Sequence, residues 1–315
     1  MDETFAFTDP TLFLMPWADE RKDVVIVDLD AAPDFDTPIM LPPFPVIGVG
    51  NPGHPLAQQI DTVIEAPASV QSLLANVHAR PIASAVLVQL LRLIETLDLR
   101  SALIAESLAY GLLQGSEEHA RWLANQSLAK AMPPGNIAVE RQGDTLEICM
   151  QRPNAHNAID RGMRDALREA FELAAIDADI RAVNLRGAGK AFSVGADLSE
   201  FGTTRDPATA HDIRMQTLPA YAITGCAEKL DVLVQGGCVG SGLEMAAFAQ
   251  RITATRDAWF QLPEIAMGLI PGAGGCVSVA RRIGRQRAAL MILSGKRIKA
   301  KTALSWGLID TIADR

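Results

Sequence analysis

Two glutamates set among glycines are the residues of this chain best placed to do chemistry. The run Gly236-Gly237-Cys238-Val239-Gly240-Ser241-Gly242 leaves an expected strand and enters an apolar helical run over 243–249. Its last glycines therefore lie where backbone N–H groups have no helical partner and can bind a negative oxygen. Glu244 falls in the first turn of that helix, where the helix dipole favours a carboxylate. Further on, Gln261-Leu262-Pro263-Glu264 places a second carboxylate just before Gly268 and the cluster Pro271-Gly272-Ala273-Gly274-Gly275. Another glycine-bearing loop, 187–198, follows an expected strand, and its Gly195-Ala196-Asp197 offers a second free N–H. Two donors and two acids fit acid–base chemistry on a carbonyl compound. Each residue also has a plainer reading: Glu244 as a helix-terminal charge, Glu264 as a solvated loop residue, the glycines as close-packing sites. Spacing alone leaves both readings open.

The elements that must position these loops alternate. Strands are expected over 145–150, 181–186, 231–235 and 251–255, and a helix over 160–175 carries Met163, Leu167, Ala170, Phe171 and Ala174 on one stripe, with Asp160 as N-cap. Alternating strand and helix signals argue for an α/β layered domain with its ligand sites in strand-to-helix loops. The first third reads differently. A β-branched run over 23–30 precedes a proline-rich stretch, 33–45, and further strands are expected over 46–49 and 61–66. Helical spacing then covers 69–77, 81–97 with Pro81 in a first helical position, 99–114 and 116–126, with Gly115 as the stop between the last two. Ala131-Met132-Pro133-Pro134-Gly135 reads as a linker, which divides the chain into 1–132 and 137–315.

Composition narrows the partners. With 49% apolar and 21% charged residues the chain can form a core, which excludes disorder and fibre. A net charge of −8, from 29 Lys+Arg against 37 Asp+Glu, argues against nucleic acid. The longest apolar stretch, 82–94, is broken by Gln89 and Arg92 and is shorter than the roughly 18 residues of a membrane span. The start, Met1-Asp2-Glu3, has no cationic leader, so no membrane and a cytoplasmic location are expected. Cys149, Cys226, Cys238 and Cys276 form no CxxC pair and have no His at metal spacing, so they are expected as buried small residues, with no metal. Gly48-Val49-Gly50-Asn51-Pro52-Gly53 fits GxGxxG, which would make 20–70 a nicotinamide-binding oxidoreductase domain. Pro52 and Pro55 disrupt the turn-to-helix geometry, and no acidic residue follows at the right distance within a βαβ unit, so a proline–glycine turn is preferred.

Five segments, taken together and in order, carry a resemblance. Arg152-Pro153-Asn154-Ala155-His156-Asn157-Ala158-Ile159 matches RPxxxNAL, and Ala191-Phe192-Ser193-Val194-Gly195-Ala196-Asp197-Leu198 matches AFSAGADL. Gly236 to Glu244 resembles NGxxxGGGxEL from its second residue, Pro263 to Gly275 resembles PExxLGLxPGAGG, and Ser294-Gly295 through Gly307-Leu308-Ile309-Asp310 resembles TGxxIxAxxAxxxGLVD. From about residue 137 onward the chain thus resembles the crotonase (enoyl-CoA hydratase/isomerase) superfamily. The resemblance implies an α/β fold with a ββα spiral core, assembly as a homo-oligomer (trimer or hexamer), and an acyl-CoA thioester substrate. It implies no permanently bound cofactor, with coenzyme A entering as part of the substrate. The main-chain N–H groups of Ala196 and Ser241 would form the oxyanion hole; Ser241 stands where the family usually has glycine and can serve if its φ/ψ is allowed. Glu244 and Glu264 match the two carboxylates of the hydratase branch, one activating water for attack at C3 and the other exchanging the proton at C2. Arg152, Ala155 and His156 lie on the segment resembling the CoA-binding strand and turn, and Asp197 and Leu198 continue along the pantetheine arm.

The implied reaction is hydration of a 2-enoyl-CoA to a 3-hydroxyacyl-CoA, as in fatty acid metabolism. Isomerisation of an enoyl-CoA and decarboxylation of a malonyl-type thioester are the alternatives within the fold. A catalytically silent scaffold is the reading both glutamates argue against. Lys229, Asp231, Gln235, Gln250 and Gln261 depart from the family pattern, and Gln261 is expected to narrow or re-polarise the acyl pocket. Family members continue past GLVD with two or three helices, whereas here five residues follow Asp310. The stretch 99–124 resembles those helices, with Glu106, then Ser116-Glu117-Glu118-His119 where the family reads SxDHxEG, then Trp122-Leu123. Residues 80–126 are therefore expected to pack on the core, of the same or a neighbouring subunit, in their place. The competing expectation is an independent N-terminal module tethered by 131–135.

Overall fold

The structure is a computed structural model in which residues 5–14, 22–34, 39–126 and 132–313 are described. Ala131 of the expected linker and positions 35–38 of the proline-rich stretch lie outside the described residues. The N-terminal part runs β1 (Val25–Asp28), β2 (Val46–Val49), β3 (Thr62–Val63), α1 (Val70–Ala79), α2 (Pro81–Ile94), α3 (Leu99–Gln114) and α4 (Glu117–Ala124). The remainder continues β4 (Ile137–Gln142), β5 (Thr145–Met150), α5 (Arg161–Ile176), β6 (Ala182–Gly187), α6 (Pro207–Thr217), α7 (Pro219–Ile223), β7 (Leu230–Val234), β8 (Gly237–Val239) and α8 (Ser241–Ala246). It closes with β9 (Arg251–Thr255), β10 (Trp259–Gln261), α9 (Gly275–Ile283), α10 (Arg285–Ser294), β11 (Ile298–Lys299), α11 (Ala300–Trp306) and β12 (Thr311–Ala313).

The strands of the C-terminal part form two sheets, and from β7 to β10 the chain passes back and forth between them. A six-stranded sheet has the order β12-β9-β7-β6-β5-β4, parallel except for the β4–β5 hairpin, and a three-stranded sheet has the order β11-β10-β8. Thus β7 in the large sheet leads to β8 in the small one and then to α8, and β9 leads to β10 and on towards α9. Isolated bridges Ser193↔Cys238 and Ile159↔Ala196 extend the same winding to the loop after β6. This is the ββα spiral implied by the motifs. Strand residues such as Val183, Leu185, Val232, Ile252 and Phe260 point into one continuous apolar core, joined by Met163, Leu167 and Phe171 of α5, which Asp160 caps through Met163 N. All four cysteines are free and buried.

That core does not stop at the expected linker. Leu73 and Val77 of α1, Leu87 and Leu91 of α2, and Leu103 and Leu113 of α3 belong to the same cluster of buried side chains. Polar ties join these helices to one another and to the spiral. Glu118 of α4 accepts from Ile82 N (2.8 Å) and Ala83 N (3.1 Å), and the neighbouring His119 Nδ1 donates to Met267 O (3.0 Å). Gly272 has no room for a side chain, since a Cβ there would lie 2.2 Å from the ring of Tyr110. Strands β1–β3 form their own parallel sheet over a smaller core of Phe13, Val25, Val27, Leu29, Leu56 and Ile60. It is tied to the rest by the fully buried Asp61, whose carboxylate takes Arg92 Nε (2.8 Å), Arg92 Nη2 (2.6 Å) and Val46 N (2.9 Å), with Arg285 at 3.5 Å.

The Gly48–Gly53 loop is a turn: Gly50 sits at φ +108°, Asn51 N donates to Asp30 Oδ1, and a four-residue 3₁₀ turn over Pro55–Gln58 follows rather than an α-helix. Among the described residues no single helix is long and apolar enough to cross a membrane, and α1 and α2 are bent by 107° at their junction.

Each fully buried Leu or Val that bridges the two parts contributes about 1.5–3 kcal/mol, so removing α1–α4 strips a substantial apolar face. A fragment beginning at residue 137 is expected to aggregate on expression, and light scattering checks this. A soluble, monodisperse 137–315 fragment would show that the shared core is dispensable.

Candidate active site

The two glycine loops are pressed against each other. Gly195, at φ +93°, is so close to the other loop that a Cβ on it would lie 3.0 Å from Val239 O and 3.5 Å from Ser241 N. Gly240 adopts φ 49° and ψ −130°, a conformation open essentially to glycine alone. This turn takes the chain from β8 into α8 and leaves Ser241 as the first helical residue, whose N–H has no intrahelical acceptor. Ala196 sits in a parallel bridge in which Ile159 N bonds Gly195 O and Asp197 N bonds Ile159 O. The amide between those two bonds, that of Ala196, is turned away from Ile159. Among the described residues neither the Ala196 nor the Ser241 N–H has a hydrogen-bond acceptor. Among those residues, non-glycine positive φ occurs only at His156 and Asn157, so Ser241 stands in its place without left-handed strain.

Both residues line a cavity of about 600 Å³ together with Glu244 and Glu264. Glu244 reaches from α8 to the loop before α9, where its Oε2 accepts from Ala273 N (2.6 Å) and Gly275 N (2.9 Å). Burial raises its pKa to about 7, against the pull of those two amides. Glu264 begins a 3₁₀ turn over Glu264–Met267, and its Oε1 lies 3.0 Å from where a Cβ on Gly240 would stand. Burial first, and the nearby Glu244 second, hold its carboxyl well above the usual range. Two buried oxygens on this wall, Glu264 Oε2 and Ser241 Oγ, have no hydrogen-bond partner among the described residues. Buried polar atoms are nearly always paired, so two unpaired ones on residues that line a cavity are exceptions that call for a polar partner.

A third buried carboxyl was legible only as a helix residue. Glu106 of α3 accepts from Gly274 N (2.6 Å) and Val277 N (3.3 Å), interleaved with the amides held by Glu244, and burial followed by Glu244 drives its pKa well up. Tyr110, His119 and Arg214 also line the cavity; sequence reasoning named only His119, and that as part of the helices resembling the family's missing ones. The signal for the first two lay in the helical spacing of α3 and α4, but not the direction in which those helices face.

The expected CoA-contacting residues divide. Asp197 and Leu198 line the cavity; Arg152, Ala155 and His156 are outside its wall. Arg152 is buried, with Nη1 on Asp197 Oδ2 (2.7 Å) and Ala158 O (3.0 Å), Nε on Pro133 O (2.8 Å), and Asp160 at 3.6 Å. Its guanidinium therefore braces the Asp197 loop. His156 is exposed in a left-handed turn, and its carbonyl accepts from Val194 N. Gln261 does not re-polarise the pocket as expected: its side chain turns away to donate to Gly295 O (2.8 Å) and is not on the cavity wall. Among the described residues no group of three His, Cys, Asp or Glu side chains is arranged to hold a metal ion.

Comparison with known proteins places this geometry. The family model "Enoyl-CoA hydratase/isomerase" matches residues 140–315. The chain is 34% identical to the 2,3-dehydroadipyl-CoA hydratase of Escherichia coli over 176 residues, 56% of this chain and 68% of that protein. It is 34% identical over 179 residues to the mevalonyl-coenzyme A hydratase of Beauveria bassiana, covering 54% of this chain and 64% of that protein. The chain thus spans about two thirds of the length of these relatives. The crystal structure of an enoyl-CoA hydratase from Thermoplasma volcanium superposes with a TM-score of 0.52 at 35% identity, covering 57% of this chain and 72% of that one. The spiral, its glycine loops and a family match over more than half the chain converge: it belongs to the enoyl-CoA hydratase/isomerase family.

Proposed function

We propose that the chain hydrates a 2-enoyl-CoA to the 3-hydroxyacyl-CoA, with Ala196 and Ser241 as the oxyanion hole and Glu244 and Glu264 as the acid–base pair. The observation that carries this is one cavity bearing two acceptor-free amides and two buried carboxyls of unlike environment. Glu244, with two amides on one oxygen, is the easier to ionise and takes the proton of the attacking water. Glu264, with Oε2 unpaired and its pKa raised further by its neighbour, is protonated and delivers the proton to C2. The C3–O bond forms while electrons move onto the thioester oxygen, where two preorganised N–H groups stabilise the enolate; each such donor is worth about 3 kcal/mol. Coenzyme A enters as part of the substrate, with Asp197 and Leu198 along its arm, and no resident cofactor takes part. The names of the relatives, both hydratases of acyl-CoA compounds, support the same class.

Loss of the conjugated thioester absorbance on incubation with crotonyl-CoA tests the reading directly. Glu244→Gln and Glu264→Gln are each expected to lower kcat by at least about 10²-fold with the fold intact; near wild-type turnover by either removes that residue from the mechanism. Ser241→Pro, which deletes a donor, should be far more harmful than Ser241→Gly.

The same carboxyls make stability depend on pH. The pKa of Glu244 rises on folding from 4.5 to about 7. Its protonated form therefore supports the fold fully below the unfolded value, and that contribution is lost as pH rises through about 7. Glu106 and Glu264 push in the same direction. Denaturant midpoints are expected to fall between about pH 5 and pH 8, and Glu244→Gln should remove up to about 3 kcal/mol of that slope. An unchanged slope in the variant would place the dependence elsewhere.

A further inference from the structure

Of the arginines on the cavity wall, Arg161 lies 3.9 Å from Glu200 and Arg164 lies 2.7 Å from Asp165, but Arg214 has no carboxylate within ion-pair distance among the described residues. Its bonds go to neutral acceptors on α3: Nε to Ser107 Oγ (2.9 Å), Nη2 to Ser107 O (2.9 Å) and Nη1 to Gln114 Oε1 (2.5 Å). The group lies over the Tyr110 ring at 4.7 Å, and Nη2 passes 3.2 Å from where a Cβ on Gly111 would stand. Three bonds and a stacked ring fix its plane. The nearby acid on α3, Glu106, spends both oxygens on the amides of Gly274 and Val277. A guanidinium carries five N–H donors, and three are used, so one on each terminal nitrogen is left for a ligand. Burial pulls its pKa down, against the opposing pull of Tyr110 and the nearby Glu106.

Its place in the cavity is fixed by Tyr110. That ring lies against Arg214 on one side and against Gly272 on another, next to Ala273, whose amide holds Glu244. Arg214 thus stands on the carboxyl side of the cavity, one aromatic ring away from the loop that holds Glu244. Hydrophobic residues such as Ile213, Leu218 and Met245 line the same cavity. An immobilised, unpaired guanidinium in such surroundings is poorly suited to a plain hydrocarbon tail and well suited to a carboxylate, which it can hold through two parallel N–H···O bonds.

We infer that Arg214, positioned by Ser107, Tyr110 and Gln114 of α3, selects acyl-CoA substrates whose acyl chain ends in a second carboxylate. This rests on the CoA-thioester reading proposed above and deepens it by naming the substrate class. Arg214 acts as a specificity-determining residue and takes no part in proton transfer.

Isothermal titration of the full chain with unreactive saturated pairs tests the inference without requiring turnover: succinyl-CoA against butyryl-CoA, adipoyl-CoA against hexanoyl-CoA, and suberoyl-CoA against octanoyl-CoA. The wild type is expected to bind the carboxylated member of at least one pair about tenfold or more tightly, as one charge-assisted bidentate contact allows. Arg214→Met should abolish that preference while leaving the hydrocarbon member bound as before or better, and Arg214→Lys should keep only part of it. Equal affinity within every pair for the wild type overturns the inference. So does an equal loss for both members in Arg214→Met, since that would place the guanidinium on coenzyme A phosphate. Thermal unfolding of the Met variant accompanies the titration, and a misfolded Met variant passes the decision to Arg214→Lys. A carboxylate preference without hydration of the matching enoyl-CoA would sink the proposed reaction and keep the specificity; hydration without preference would do the reverse.

Discussion

Three consecutive amides, those of Ala273, Gly274 and Gly275 at the start of α9, are shared between two buried carboxyls, and the rest of the structure is arranged around that sharing. Glu244 takes the first and third, and Glu106 takes the second. Neither carboxyl could remain so deep without donors, because an unpaired buried acid costs several kcal/mol. The donors exist because a helix starts there, and the space exists because glycines do: a Cβ on Gly275 would fall 2.4 Å from Glu244 Cγ. The arrangement joins α8, α9 and α3, so the catalytic candidate, the spiral and the N-terminal helices are locked in one hydrogen-bonded knot. Glu244 in turn helps raise the pKa of the carboxyl that α3 places behind it.

Much of this was legible in the residues. Strand and helix positions follow from period-two runs such as Thr145–Met150 and from stripes such as that of α5, and α3 and β9 fall where the spacing puts them. The glycine loops and both glutamates were readable because chemistry at a helix start needs small residues and free amides in a fixed order. Asp160 capped its helix as an aspartate before an amphipathic run should. What periodicity cannot carry is which surface an amphipathic helix packs on. Tyr110 and Arg214 are a hundred residues apart in sequence and meet through tertiary contact alone, so neither was named. Gln261 misled for a related reason: a polar residue near a catalytic one was read as facing the pocket, but Gly295 O lay within its reach on the other side. Arg152 was placed near coenzyme A through the motif it sits in, and a motif does not reveal that Asp197, Asp160 and two carbonyls surround its guanidinium, which makes it a brace.

The cavity is a composite. Its floor comes from the loops after β6 and β8, one wall from α6, and another from α3 and α4, which precede the spiral in the chain. A surface assembled from distant segments can change its substrate range by substitutions in one segment while the oxyanion loops stay untouched. In this protein α3, α4 and α6 are such segments, because they touch the cavity without supplying the two free amides or the glutamate pair.

The bond between Glu106 and Gly274 spans 168 residues, and that between Thr62 and Gln286 spans 224. Folding must therefore close very long loops before its central polar contacts exist, which is the topology of a slow folder. During synthesis α3 leaves the ribosome well ahead of the amides it needs: at ordinary translation rates the interval is roughly ten to thirty seconds. Through that time Glu106 lacks the Gly274 and Val277 amides that hold it in the folded chain, and α2 and α3 have each other but not the faces of α9 and α10 they later pack on.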